Sequence, residues 1–154
     1  NLEECEHTDI HDKYIATNSP HKLRLRKKDD QYELTKKSQQ NPEDASVQAE
    51  ETIKLNEEEF IVLMQLPGKE LHKIRYFYNY NGLNMEIDLF QDSLKGLISI
   101  DCEFPTEREK NTFVMPDFCL VDVTQEKFIA QVQGKTYSDL EPILSKYSYE
   151  KIIG

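Results

Sequence analysis

Apolar and charged side chains alternate with period two along several runs of this chain. Leu23-Arg24-Leu25-Arg26, Lys73-Ile74-Arg75-Tyr76, Glu86-Ile87-Asp88-Leu89 and Asp101-Cys102-Glu103-Phe104 carry the pattern. A strand turns successive side chains to opposite faces, so each run predicts a strand with charge on one face and apolar groups on the other. Extended along the chain, the pattern predicts strands over about 10–16, 22–28, 31–37, 47–54, 71–79, 83–90, 97–104 and 120–124. Asn18-Ser19-Pro20, Asp29-Asp30 and Asn81-Gly82 mark turns between them, Asn81-Gly82 being the strongest hairpin signal. The polar stretch from Ser38 to Ser46, which contains Pro42, reads as an exposed loop.

Three helical patterns interrupt the strands. Asn56, with Glu59 three residues on, starts a helix whose apolar side is Phe60, Leu63, Met64 and Leu66. Thr106-Glu107-Arg108-Glu109 starts a second, and Ser138-Asp139-Leu140-Glu141 a third ahead of Ile143, Leu144 and Tyr147. Short strands joined by hairpins, with few helices, predict an α+β fold that is mainly antiparallel β, as a barrel or a strongly curved sheet.

Composition narrows the functional classes. A chain of 154 residues reads as a single domain over 1–154, able to bury about two-thirds of its unfolded surface. Hydrophobic and charged contents of 38% and 31% suit a globular protein rather than a disordered one. No apolar run approaches the ~20 residues that cross a bilayer, and no basic-then-apolar leader is present, so no membrane partner is expected. Cys5, Cys102 and Cys119 form an odd set without metal-finger spacing, which predicts a reduced, cytoplasmic setting. The net charge of −10 argues against DNA or general nucleic-acid binding, but not against a local cationic pocket.

The charges in the strands are sorted by sign. Arg24, Arg26, Lys37, Lys73 and Arg75 stand on some, and Glu50, Glu86, Asp88, Asp101 and Glu103 on others. Arginine forks grip phosphate oxygens, and carboxylates two apart on a strand can hold Mg²⁺ or Mn²⁺ through oxygen. Alternation alone leaves open the plainer reading of solvated faces with cross-strand ion pairs. Cys5, His7 and His11 are a further candidate set, for zinc, if the segment is helical. Cys102 points away from Asp101 and Glu103 and reads as a packed thiol, and Tyr76, Tyr78 and Tyr80 as outer-wall packing. Glu57-Glu58-Glu59 fits a solvated first helical turn.

The order of these pieces resembles the CYTH superfamily, the triphosphate tunnel metalloenzymes. Lys22-Leu-Arg-Leu-Arg26 is followed by Tyr32-Glu-Leu-Thr-Lys-Lys37, Lys73-Ile-Arg-Tyr76, Glu86-Ile-Asp-Leu-Phe90 and Gly96-Leu-Ile-Ser-Ile-Asp-Cys-Glu-Phe104. Pro116-Asp117-Phe118 and Asp122-Val123-Thr124 are similar to the family's segment after its last acidic strand. The resemblance implies a closed eight-stranded antiparallel tunnel with peripheral helices that binds triphosphate and a divalent metal, Mg²⁺ or Mn²⁺. It implies that Arg24, Arg26, Lys37, Lys73 and Arg75 bind phosphate oxygens. Glu50 and Glu103 would serve catalysis, and Asp88, Asp101 and Glu103 would hold metal.

Three departures qualify it. Asp101 stands where the family usually has Glu, and Glu50 lacks an Arg two residues before it. The family's first strand, Glu-x-Glu-x-Lys, has no match: Glu4-Cys5-Glu6-His7-Thr8 carries Thr in the Lys position, close to the next strand. With Asn1 rather than Met at the start, that strand is expected upstream, in an N-terminally incomplete domain with an open seam. The function implied is metal-dependent hydrolysis of an inorganic, thiamine or nucleoside triphosphate. The alternatives are a non-catalytic polyphosphate- or nucleotide-binding module, and an adenylate cyclase.

Overall fold

The computed structural model describes residues 1–125 and 132–147. Seven strands form one antiparallel sheet: β1 (His7–Ile15), β2 (Lys22–Lys28), β3 (Gln31–Asn41), β4 (Asp44–Leu55), β5 (Gly68–Tyr80), β6 (Leu83–Phe90) and β7 (Ile98–Cys102). Their order, β4-β3-β2-β1-β5-β6-β7, is two meanders joined where β1 pairs with β5. The connection from β4 to β5 carries α1 (Glu57–Leu63), so this central pairing has the largest loop to close.

Local chemistry explains the turns. Asn81 and Gly82 both take positive φ, 51° and 86°, the conformation that a two-residue hairpin loop needs. Asp29, at φ 51°, does the same between β2 and β3, and its carboxylate accepts from Thr8 Oγ1 and the Asp9 amide of β1. Gly68 starts β5 where a Cβ would lie 2.4 Å from the Tyr14 carbonyl oxygen, so only glycine permits the approach to β1.

The expected closed eight-stranded barrel is not what forms among the described residues. The sheet is open, with β4 and β7 as its edges, and the expected strand at 120–124 is irregular chain. The sheet is nevertheless curled. Beyond β7, α2 (Glu107–Thr112) places Lys110 Nζ 2.8 Å from Ser46 Oγ and 3.5 Å from Asp44 at the start of β4. Gln125 Nε2 also donates to Asp44 Oδ1, at 3.2 Å. Seven flat strands would separate the two edges by roughly 29 Å, farther than the short connection from Cys102 to Lys110 reaches. Side chains of this segment thus span the gap that no ladder closes.

The 38–46 stretch is also corrected. It is paired backbone, with β3 and β4 running to Asn41 and Asp44 around Pro42-Glu43 and a register shift between Gln39 and Asn41. α1 has the expected capping box, Asn56 with Glu59, and Phe60 packs on Tyr32 of β3 with ring centroids 4.8 Å apart. Thr106 caps α2 as expected. The last helix, α3 (Tyr137–Leu144), starts two residues earlier than predicted, capped by Thr136 with Asp139. That start brings Tyr137 against Leu71, Phe90, Leu94, Leu97, Val132 and Leu140, a core that also takes in Tyr14 and Leu144. No described helix is long and apolar enough to cross a membrane.

Candidate functional site

Strand register decides which charges meet. Arg26 lies opposite Asp12 and Glu33, Arg24 opposite Thr35, and Lys37 opposite both Lys22 and Glu50. Across the β1–β5 junction, Ile10 faces Lys73 and Thr8 faces Arg75; beyond it Arg75 faces Asp88, and Glu86 faces Asp101. Directly opposed residues share a face, so Arg24, Arg26, Lys37, Glu50, Lys73, Arg75, Asp88 and Asp101 all stand on one face of the sheet. Glu103 lies just past the end of β7, exposed, two residues beyond Asp101. Arg24, Arg26, Lys73 and Asp88 are buried. Charge buried on one face is what the inside of a curled sheet provides.

On the β5–β6 side the charges satisfy one another. Asp88, 1% exposed, accepts from Lys73 Nζ at 2.5 Å, from Arg75 Nε at 2.7 Å and from Arg75 Nη2 at 2.8 Å. Arg75 also pairs with Glu86 and, at 3.6 Å, with Asp101. Burial works against ionisation of Asp88, but the Arg75 hydrogen bonds and the Lys73 charge outweigh it and hold its carboxyl below the usual range. Burial lowers the Lys73 ammonium, which shares that carboxylate with Arg75, and the neighbouring guanidinium charges add to the effect. Arg75 is itself raised, Asp88, Glu86 and Asp101 overcoming its desolvation.

At the sheet centre Arg26 forks onto Asp12, Nε to Oδ1 at 2.6 Å and Nη2 to Oδ2 at 2.7 Å. Asp12 was not among the residues expected at the site. It stands between Ile10 and Tyr14 with no second acid on its face of β1, so its role depends on register with β2.

The β2–β3 end is different in kind. Arg24, 6% exposed, reaches Glu33 only at 3.7 Å and Thr35 Oγ1 at 3.5 Å, and its Nε has no hydrogen-bond partner among the described residues. Lys22 and Lys37 face each other across β2 and β3. Burial, and then the Lys37 charge, push the Lys22 ammonium down. Lys37 is 2.9 Å from Glu50 on β4. Burial opposes ionisation of Glu50, yet Lys37, Arg24 and Arg26 together hold its carboxyl below the usual range. An unmet buried donor beside two opposed lysines marks an excess of positive charge, the condition for holding an anion. Lys22 was legible in the motif but not singled out from it.

The acidic residues differ in what they could hold. Both oxygens of Asp88 are committed to cations, and it is the most enclosed carboxylate of the set. Asp101 and Glu103 are exposed, and Glu86 opposes Asp101 on the same face. An all-oxygen set of that kind suits a hard divalent cation such as Mg²⁺ or Mn²⁺.

The remaining candidates separate. His7 and His11 lie on a strand rather than a helix, four residues and about 13 Å apart. His7 packs on Tyr76 and Cys5 donates to the Asn1 carbonyl, so Cys5, His7 and His11 do not converge. Cys102 opposes Met85 on the other face, where burial raises its thiol out of the range for a ready nucleophile. Tyr76 and Tyr78 oppose Ile87 and Met85 on that outer face, as expected.

No protein-family model matches the chain, and no curated protein matches it. Solved structures do. The chain is similar to the inorganic triphosphatase NE1496, at 26% identity and a TM-score of 0.61 over 82% of this chain and 83% of that one. A second structure of NE1496 gives 26% identity and 0.60 over 80% and 82%. A protein of Pyrococcus furiosus, at 21% identity and 0.51 over 69% of both chains, and PH1012 of Pyrococcus horikoshii, at 18% and 0.51 over 69% and 68%, share the fold. The likeness to NE1496 over most of both chains, with the sorted charges gathered on one face in the expected strand order, supports the resemblance of this chain to the CYTH superfamily.

Proposed function

We propose that the inner face binds a triphosphate and hydrolyses it with the help of a divalent metal. The observation that carries this is the β2–β3 end: buried Arg24 with an unpartnered Nε, beside Lys22 and Lys37 opposed across the ladder. A phosphate oxygen there would take the free Arg24 donor and relieve the repulsion of the lysines. NE1496, alike over most of both chains, is an inorganic triphosphatase, which supports tripolyphosphate as the first substrate to try.

In this reading Arg24, Lys22 and Lys37 grip one end of the polyphosphate, with Arg26, Lys73 and Arg75 along its length. Their own carboxylates hold these last three in place beforehand. Asp101 and Glu103, with Glu86 beside them, would hold Mg²⁺ or Mn²⁺. Bound there, the metal supplies charge neutralisation for the phosphoryl oxygens. Glu50, kept ionised by Lys37, accepts a hydrogen bond from the attacking water and orients it towards the terminal phosphorus. Water forms the new P–O bond as the bridging P–O bond breaks, releasing orthophosphate and the shortened chain.

The test is phosphate release from tripolyphosphate, thiamine triphosphate and ATP by the purified chain, with and without Mg²⁺ or Mn²⁺. Metal-dependent release that falls sharply in Lys37→Ala and Glu103→Ala supports the reading; release unchanged in both overturns the assignment of the site. A second reading, a binding module without turnover, is favoured by one observation: Asp88 is fully engaged with Lys73 and Arg75. Tight calorimetric binding of tripolyphosphate with no release under any metal would decide for it, and cyclic AMP formed from ATP would decide for a cyclase.

A further inference from the structure

The opposite face of the sheet carries a cluster that phosphate chemistry does not use. Asp9 and His11 of β1 and His72 of β5 meet at the junction of the two meanders, where His11 and His72 are directly opposed. His11 Nε2 is 2.8 Å from Asp9 Oδ1, and His72 Nε2 is 3.0 Å from Asp9 Oδ2. The two imidazoles stack with centroids 3.8 Å apart and planes 15° from parallel. The nearest donor atoms of the three residues all lie within 4.8 Å of one another. Asp92, in the turn after β6, reaches His72 Nδ1 at 3.3 Å. His11, His72 and Asp92 border a cleft of about 480 Å³, with Glu70 adding a negative charge and Lys27 a positive one.

From this geometry we propose a transition-metal site, of the kind that takes Zn²⁺, on the outer face at the β1–β5 junction. Its ligands are Asp9, His11 and His72, with a water completing the set. Two imidazoles and a carboxylate form a nitrogen-rich donor set, which suits zinc and not the hard cations of the inner face. The Asp92 carboxylate, 3.3 Å from His72 Nδ1, stands where the outer partner of a metal-bound imidazole stands, and a proton kept on Nδ1 by that charge would leave Nε2 to ligate. Bonds of about 2.0–2.2 Å need the stacked rings to fan apart by a small rotation. The role is structural. The ion would clip together strands 63 residues apart in sequence, where the loop to be closed is longest and cross-linking gains most.

The experiment uses Co²⁺ as the probe, added to the chelator-treated full chain in excess Mg²⁺, with visible absorption as the readout. One equivalent of cobalt should bind with the intense bands of a four-coordinate site, unaffected by Mg²⁺. His72→Ala should abolish them, and Asp92→Asn should weaken binding about 10–100-fold. Glu103→Gln, on the inner face, should leave them intact. If His72→Ala fails to fold, His11→Gln gives the same readout from a more exposed strand position. Equal cobalt affinity in His11→Gln, loss of the bands in Glu103→Gln, or no bands in the parent chain overturns the site. None of these readouts depends on triphosphate hydrolysis, so this inference and the proposed function fail separately.

Discussion

Asp12→Ala removes the carboxylate that both arms of the Arg26 fork grip. The Asp12 side chain is 0% exposed and that of Arg26 is 9% exposed, so water cannot reach in to replace the lost partner. Breaking a buried pair from one side typically costs about 3–5 kcal/mol, because the other charge stays buried and unmet. Against a total stability of about 5–15 kcal/mol that is a large fraction. With a urea m-value of about 1–3 kcal/mol/M, the unfolding midpoint should fall by roughly 2 M. Removing both charges, as Asp12→Leu with Arg26→Met, should recover most of the loss, since an apolar pair of similar volume is often as stable as a buried ion pair. The assay is equilibrium urea unfolding followed by far-ultraviolet circular dichroism. A single-variant shift below about 0.5 M, or a double variant no more stable than the single, would refute the idea that this pair is a closed electrostatic unit.

Other outcomes follow from the same face. Lys22→Gln should slightly stabilise the chain without phosphate, by a few tenths of a kcal/mol, because it removes a like-charge pair across the ladder, yet weaken tripolyphosphate binding; denaturation and calorimetry on one preparation check both signs. Asp88 and Glu50 have folded pKa values below their ordinary 3.8 and 4.5, so they stabilise the fold at neutral pH and lose that contribution as pH falls below about those values. Asp88→Asn should therefore flatten the loss of stability between neutral pH and pH 3, and an unchanged acid slope would remove Asp88 from that role.

Much of the inner face was legible in the sequence because period two is a strong constraint. Arg24 and Arg26, or Lys73 and Arg75, must share a face once their runs are strands, and Asn81-Gly82 set the β5–β6 register. What period two could not tell is which partner each charge finds. The Asp12–Arg26 pair depends on how β1 slides against β2 across a polar turn, and the Asp9–His11–His72 cluster on a crossover pairing distant in sequence. The 38–46 stretch reads as a loop in the sequence because a hairpin tip that is polar on both faces has no alternation to show. The expected strand at 120–124 failed for the opposite reason: its residues are apolar enough for a strand, but the chain there runs back towards Asp44 through side-chain contacts instead of a ladder. The third helix starts at Thr136 with Asp139 rather than at Ser138, and packing of Tyr137 on the core favours that earlier start.

The central claim is that the β2–β3 end of the inner face is built to take phosphate oxygens. Titrating tripolyphosphate into the parent chain and into Arg24→Met by calorimetry tests it most directly. A hydrogen bond from a buried guanidinium to phosphate is worth about 1.5–3 kcal/mol, so the variant should bind roughly 10–100-fold more weakly, with a shallower salt dependence. Equal affinity and equal salt dependence in the two proteins would contradict the account.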